Sequence, residues 1–263
     1  MEERLQKILS QWGIASRRQA EAMIQLGRVR CNGIVAQLGQ KVDPESDKIE
    51  VDGKPIQPLH RPKLIYLLLN KPAGVVSTCD DPQGRPTVMH LLPAELQKGQ
   101  GIHPVGRLDV DSTGALLLTN DGELTFALTH PRHNISKTYH VVVQGHPPEL
   151  VLQQWRQGVV LEGRKTRPAK VRVISRDANQ TSLEIILQEG RNRQIRRMTQ
   201  QLGYPVLYLH RTAIGPIGLK PPSSAALPVG CYRPLNQVEL RFLKDQIQNT
   251  DVRFQDAVKE SNK

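Results

Sequence analysis

Six consecutive residues, Leu64-Ile65-Tyr66-Leu67-Leu68-Leu69, are apolar or aromatic, and the run stops at Asn70-Lys71-Pro72. It is far too short for a membrane helix, which needs about 18 apolar residues or more, and Pro72 blocks a helical continuation. The run therefore reads as an almost continuous apolar strand, around which a sheet must be built. Further strand candidates follow at Ala115–Leu118, Tyr139–Val143, Val171–Ile174 and Leu183–Leu187. Helical periodicity is confined to Glu123–Leu128, Pro148–Gln157 and Arg193–Leu202. The large segment is thus α+β and dominated by strands. A last helix is expected near Val238–Ile247, where Asn236 and Glu239 have the spacing of a capping box. The polar tail beyond Gln248 is expected to be mobile.

The beginning of the chain follows a different pattern. Leu5, Ile8 and Leu9 recur at helical spacing, and Gly13 breaks the helix. Ser16-Arg17-Arg18-Gln19 reads as a capping box for a second helix, with Ala20, Met23 and Ile24 as its buried stripe and Gly27 as its end. Val29-Arg30-Cys31, Asn32-Gly33 and Ile34-Val35 make a hairpin, and another strand pair follows around Ile49-Glu50-Val51. Leu59-His60-Arg61-Pro62 reads as a linker, stiffened by Pro55, Pro58 and Pro62. The organisation expected is a small module over residues 1–60, a larger domain over 61–240, and a C-terminal helix and tail over 241–263.

Charge narrows the partner. The net charge is +11, and residues 61–240 carry 22 Lys and Arg against 13 Asp and Glu. The first sixty residues are nearly balanced but polarised. Arg4, Lys7, Arg17, Arg18, Arg28 and Arg30 come early; Asp43, Glu45, Asp47, Glu50 and Asp52 come late. An excess of this size favours a polyanion. No apolar run approaches a membrane span, and Met1-Glu2-Glu3-Arg4 resembles no secretory or transit signal. The expected setting is the cytoplasm, the expected anion nucleic acid, and no membrane partner is expected. Cys31, Cys79 and Cys231 are odd in number and widely spaced, which argues against a disulfide framework or a zinc site.

The stretch His103-Pro104-Val105-Gly106-Arg107-Leu108-Asp109-Val110-Asp111-Ser112-Thr113-Gly114 joins two strands through a glycine-bounded loop, a common place for a site. A carboxylate beside arginines stays ionised and positioned. Locally, three readings stand open: Asp109 and Asp111 cap the loop, bind a cation, or carry chemistry. Farther on, Arg191, Arg193, Arg196 and Arg197 lie within seven residues. On a helix, positions 193, 196 and 197 share a face, which concentrates positive charge suited to phosphates. Only Glu189 lies close enough in sequence to balance them.

Two resemblances sharpen these readings. Arg4-Leu5-Gln6-Lys7-Ile8-Leu9, Ser16-Arg17-Arg18-Gln19-Ala20 and Gly27-Arg28-Val29-Arg30-Cys31-Asn32-Gly33 resemble the small RNA-binding module named after ribosomal protein S-four. That resemblance implies RNA contact through Arg17 and Arg18, with Arg28 and Arg30 nearby. Gly106-Arg107-Leu108-Asp109, continued by Ser112-Thr113-Gly114-Ala115-Leu116-Leu117-Leu118-Thr119-Asn120-Asp121-Gly122, resembles the signature of the RsuA/RluB-type ribosomal RNA pseudouridine synthases. Leu69-Asn70-Lys71-Pro72-Ala73-Gly74, Lys137-Thr138-Tyr139 and the run from Glu189 to Met198 extend the match, in the family's order, over residues from about 3 to 240.

The family resemblance implies a mixed, mainly antiparallel sheet and an enzyme that turns a uridine of ribosomal RNA into pseudouridine. The N1–C1′ bond breaks, the uracil turns, and C5 bonds to C1′. Atoms are conserved, so no cofactor or metal is implied. By the family's pattern Asp109 is the catalytic carboxylate, Arg196 pairs with it, and Tyr139 stacks on the uracil or transfers a proton. Leu202 would line the uracil pocket, although a core leucine would look the same. Arg107, Arg191, Arg193 and Arg197 would meet RNA. His103, His130, Arg132 and His133 lie in or near the same loops and are further candidates for RNA contact. The target, a loop uridine in structured RNA, must flip into the site. The motifs lean toward the large-subunit (23S) enzymes over the small-subunit one, and a monomer is expected. Two competing readings are a non-catalytic RNA-binding factor on the same scaffold and a metal-dependent nuclease using Asp109 and Asp111, which would need more clustered acids.

Overall fold

A computed structural model describes residues 2–56, 62–129, 134–221 and 225–246. The expected linker residues Leu59, His60 and Arg61, the loop residues His130, Arg132 and His133, and the tail beyond Gln248 lie outside them. The chain divides into two compact units. The first comprises Met1–Tyr66, Leu92–His103 and Leu118–Gly122; the second comprises Leu67–Leu91, Pro104–Leu117 and Glu123–Lys263.

In the first unit the order is β1 (Glu3–Arg4), α1 (Leu5–Gln11), α2 (Arg17–Gln25), β2 (Val29–Cys31), β3 (Ile34–Val35), β4 (Lys41–Val42), β5 (Ile49–Val51) and β6 (Lys54–Ile56). The capping box forms as its spacing predicts. The Gln19 amide donates to Ser16 Oγ, and the Ser16 amide donates to Gln19 Oε1. Asn32 and Gly33 both have positive φ, at 52° and 79°, the pairing that a tight hairpin turn between β2 and β3 requires. Leu5, Ile8 and Leu9 of the first helix and its C-cap Trp12 pack with Ala20, Ile24, Val29 and Ile49 in one apolar core. The Thr119-Asn120-Asp121 end of the signature is a structural knot in this unit. Asn120 Nδ2 donates to the carbonyls of Lys63 and Gln100, its Oδ1 accepts from the Ile65 amide, and Tyr66 donates to Asp121.

The remaining elements are β7 (Tyr66–Lys71), α3 (Ala94–Gln97), β8 (His103–Pro104), β9 (Thr113–Thr119), α4 (Gly122–Thr129), β10 (Lys137–Gln144), α5 (Glu149–Gln157), β11 (Val160–Leu161), β12 (Arg164–Lys165), β13 (Lys170–Asp177), β14 (Gln180–Leu187), α6 (Gln194–Gln201), β15 (Val206–Ile214), β16 (Ile217–Gly218) and β17 (Tyr232–Pro234). A further helix, α7, covers 237–246, with Asn236 and Glu239 exchanging the two hydrogen bonds of its capping box. The large sheet runs β13-β14-β10-β15-β9-β7-β17. Strands β13, β14, β10 and β15 pair antiparallel, β15 and β9 pair parallel, and β17 runs antiparallel to β7. The sheet is mixed and mainly antiparallel within an α+β fold, as expected. Trp155 of α5 is 1% exposed and shares an apolar core with Val171, Ile185, Ile195 and Met198. That packing seats α5 and α6 on the sheet face carrying the odd-numbered residues of β13 and β14. Among the described residues no helix is long and apolar enough to cross a membrane.

Strand β15 has no counterpart among the expected elements, although it pairs along most of β10. His210-Arg211-Thr212 interrupts its apolar pattern, which hides it from a search for apolar runs.

Candidate active site

The loop between β8 and β9 is held from several sides. The Leu108 amide donates to Ser77 Oγ at 3.1 Å, and Ser77 Oγ donates back to the Leu108 carbonyl at 2.9 Å. The Gly74 amide donates to the Val110 carbonyl, and the Ser112 amide to the Asp109 carbonyl. Leu108 is buried beneath. The backbone on both sides of Asp109 is therefore fixed while its side chain stays 30% exposed. Lys71, at the end of β7, is fully buried; its Nζ donates to the carbonyls of Pro72 and Ser112. Burial pulls that amine's pKa down to about 8, against the pull of Asp111 and Asp109 and with the push of Arg211.

The basic run supplies the partners, with a correction. The expected Asp109–Arg196 pair does not form. Arg193 stands 3.5 Å from Asp109 and also reaches both oxygens of Asp111 at 3.3 Å. Arg196 goes to Asp111, at 3.4 Å from its carboxylate, and hydrogen-bonds the Asp111 carbonyl and Ser112 Oγ. The physical reason is local. Arg193 is the N-cap of α6 in the left-handed conformation, at φ 46°, so it stands just ahead of the helix and spans Asp109 and Asp111, while Arg196, inside the helix, pairs with Asp111. Arg197 pairs with Glu162 at 2.6 Å, and Arg191 binds Glu189 and the carbonyls of Arg164 and Lys165. Burial works against the Asp111 carboxylate, but the Arg193 hydrogen bond and the charges of Arg196 and Arg193 hold its pKa below the ordinary value.

The floor is built by strand register. Tyr139 of β10 stands opposite Arg211 of β15, and Arg211 stands opposite Gly114 of β9. A side chain at Gly114 would come within 2.2 Å of the Arg211 carbonyl oxygen, and its φ is +109°; only glycine lets the two strands approach here. One residue farther along, the register shifts between Thr138 and Tyr139. Thr212 is the extra residue, a bulge of the sort that re-aims side chains beside sites. It brings Ile214 as well as Arg211 to the cleft. Arg211 is 5% exposed; its Nε donates to the Ala115 carbonyl at 2.6 Å, and one terminal nitrogen has no hydrogen-bond partner among the described residues. Burial, and then the charge of Arg211, bring the Lys137 amine down to about 8.

These groups line one open cleft of about 880 Å³. Asp109, Tyr139, Arg107, Arg191, Arg193 and Arg197 all reach it; so do Leu209, Lys137 and Arg211, which sequence reasoning did not single out as site residues. Arg164 and Arg167 add charge to its wall, Arg167 also hydrogen-bonding Asn134. Arg196 works behind the wall, on the Asp111–Ser112 turn. Leu202 is not among the lining residues. It is the C-cap of α6, its amide donating to Met198, whereas Leu209 is one of the leucines that line the cleft. A period-two pattern through Leu209 and Arg211 was the signal available for those two residues. In the first unit, Arg17, Arg18 and Arg30 are exposed, while Arg28 is held by both oxygens of Asp52.

Comparison with known proteins finds relatives along most of the chain. The family described as RNA pseudouridylate synthase matches residues 65–201, and the S4 domain matches residues 3–49. The chain is 42% identical over 245 residues to the ribosomal large subunit pseudouridine synthase B of Bacillus subtilis, covering 92% of this chain and 96% of that protein. An uncharacterized RNA pseudouridine synthase of Aquifex aeolicus is 41% identical, with 92% and 94% covered. A crystal structure of a pseudouridylate synthase superposes with a TM-score of 0.65 at 32% identity, covering 91% of this chain and 99% of that one.

Proposed function

Because this chain belongs to the RNA pseudouridylate synthase family, with an S4 domain ahead of the synthase segment, we propose that it isomerises one uridine of large-subunit (23S) ribosomal RNA to pseudouridine, with Asp109 as the catalytic carboxylate. The observation that carries this reading is the shared cleft: Asp109, held by Arg193, and Tyr139 line the same basic cavity. The likeness to the Bacillus subtilis large-subunit enzyme supports the choice of ribosomal RNA.

In this reading residues 1–60 dock RNA and residues 61–240 do the chemistry, on a monomer working in the cytoplasm. A stacked base cannot reach Asp109, so the uridine flips out at a cost of a few kcal/mol, offset by phosphate contacts. The exposed Arg107 and the cleft arginines Arg164, Arg167 and Arg197 take phosphates. Tyr139, only 9% exposed, offers its ring to the uracil. Arg196 acts by fixing the Asp111–Ser112 turn that follows Asp109. Reactant and product are isomers, so the overall equation calls for no redox cofactor, metal or group donor.

Mapping pseudouridines in the ribosomal RNA of the native organism, with and without the gene, tests the reading. One site should vanish from the large-subunit RNA. An unchanged map would overturn the proposal and favour an RNA-binding protein on an enzyme scaffold.

A further inference from the structure

Of the arginines in the cleft, Arg191, Arg193 and Arg197 are paired with acids, and the remaining four differ in burial. Arg107, Arg164 and Arg167 are exposed. Arg211 is 5% exposed, lies in the floor, and stands across the strand pair from Tyr139. Its Nε is spent on the Ala115 carbonyl, but one terminal nitrogen is buried without a partner among the described residues. A buried, unpaired donor on a cation is costly, and such groups are satisfied by a ligand or by water. Lys137, two residues before Tyr139 on the same face of β10, also lines the cleft and feels the charge of Arg211. Asp109 is already faced by Arg193, and among the described residues Asp109 and Asp111 pair with Arg193 and Arg196 and not with Arg211 or Lys137. The floor thus keeps uncompensated positive charge under the place where Tyr139 would hold a base.

We propose that Arg211, with Lys137 beside it, donates to a carbonyl oxygen of the target uracil and stabilises the negative charge that gathers on the base as its N1–C1′ bond breaks. This rests on the reading of the cleft as a pseudouridine-forming site. The electron pair of the N1–C1′ bond stays with the base, spread over N1 and, by conjugation, the two carbonyl oxygens. C5 then bonds to C1′, and the C5 proton ends on N1, so atoms and electrons balance without a co-reactant. Whether the carboxylate attacks the sugar, adds to the base or removes a ribose proton, the base becomes electron-rich before C5 closes the new bond. Donors preorganised where charge develops are worth far more in a dry site than in water. A phosphate does not suit the same position. It belongs to the backbone, which must stay at the mouth when the base points at the floor.

The test uses the full-length protein and an unmodified large-subunit ribosomal RNA transcript, made with uridine or with 5-fluorouridine, whose base bears negative charge more readily. Arg211→Lys and Lys137→Met are compared with wild type by RNA affinity and by the single-turnover rate at which the target nucleotide is consumed. Each variant should keep RNA affinity within about threefold and lose about 100-fold in rate on the uridine transcript. The loss should shrink with 5-fluorouridine, whose base needs less help to carry the charge. Equal losses on both transcripts, or no loss, would overturn the proposal, since a merely structural role affects both alike. Lys137→Met leaves the Arg211–Ala115 bond in place and decides the matter if Arg211→Lys does not fold. A wild-type protein that converts no uridine would instead sink the assigned function.

Discussion

Arg193 holds Asp109 from a left-handed backbone conformation: its guanidinium lies 3.5 Å from the carboxylate, and its φ is 46°. That conformation costs an L-residue roughly 1–2 kcal/mol. The contacts to Asp109 and Asp111 are half-exposed and at the long end of hydrogen bonding, worth at most about 1 kcal/mol each. Strain and clamp are thus of similar size. What the arrangement secures is position: one side chain spans both acids of the loop and sets where Asp109 points.

Replacing Arg193 by Ala should therefore cost about 1–2 kcal/mol of stability, because the contacts are lost while the Cβ that strains the left-handed backbone stays. The single-turnover rate should fall about 10- to 100-fold, the cost of a mispositioned catalytic group. Arg193→Gly should behave alike in rate and be no less stable than Arg193→Ala. A rate within threefold of wild type would mean that Arg193 does not orient Asp109.

Gly114 has a different signature. Gly114→Ala places a methyl 2.2 Å from the Arg211 carbonyl oxygen, where backbone must move. A loss of more than about 2 kcal/mol is expected, from overpacking and a strained φ together. Urea denaturation reads it directly, and a variant as stable as wild type would show that β9 and β15 approach less closely than described.

The two leucines separate family pattern from geometry. Leu209 is 7% exposed and lines the cleft; Leu202 caps α6. Leu209→Ala should cost activity beyond its effect on stability, while Leu202→Ala should change the melting temperature more than the rate per folded molecule. The reverse ranking would return the pocket role to Leu202.

Lys137 gives a pH prediction. Its pKa drops from 10.5 to about 8 in the folded protein. Between those values the folded chain binds fewer protons than the unfolded one, so the lysine's contribution to stability rises with pH across that window. Below about pH 8 both states are protonated and the penalty is constant. Wild type should therefore gain roughly 1 kcal/mol relative to Lys137→Met between pH 7.5 and 9.5, after discounting for partial exposure. Titration of the cysteines is common to both proteins and cancels. A flat difference would mean the amine is not buried as described.

Much of this molecule is legible in its sequence. The capping boxes at Ser16 and Asn236, the Asn32-Gly33 turn and the apolar strand into Lys71 all obey local rules, because their partners lie within a few residues. The Asp109 loop and Tyr139 enter one cleft, as the spaced motifs implied. What stayed hidden depends on distant partners. The arginines from 191 to 197 look uncompensated locally, yet the fold brings Asp109, Asp111 and Glu162 to them from elsewhere in the chain. A helical reading put Arg193 on the face of α6, whereas it stands just ahead of the helix as its left-handed N-cap. Strand β15 escaped notice because it carries a charged residue into the floor, and Arg211 escaped with it.

The central claim is that Asp109 carries the chemistry and that binding is built from other residues. Asp109→Asn keeps the shape and removes the charge, so single-turnover assay on ribosomal RNA together with RNA affinity is the most direct measurement. Pseudouridine formation should become undetectable while affinity stays within about threefold, since phosphate contacts supply most of the binding. Turnover retained in Asp109→Asn would contradict the account.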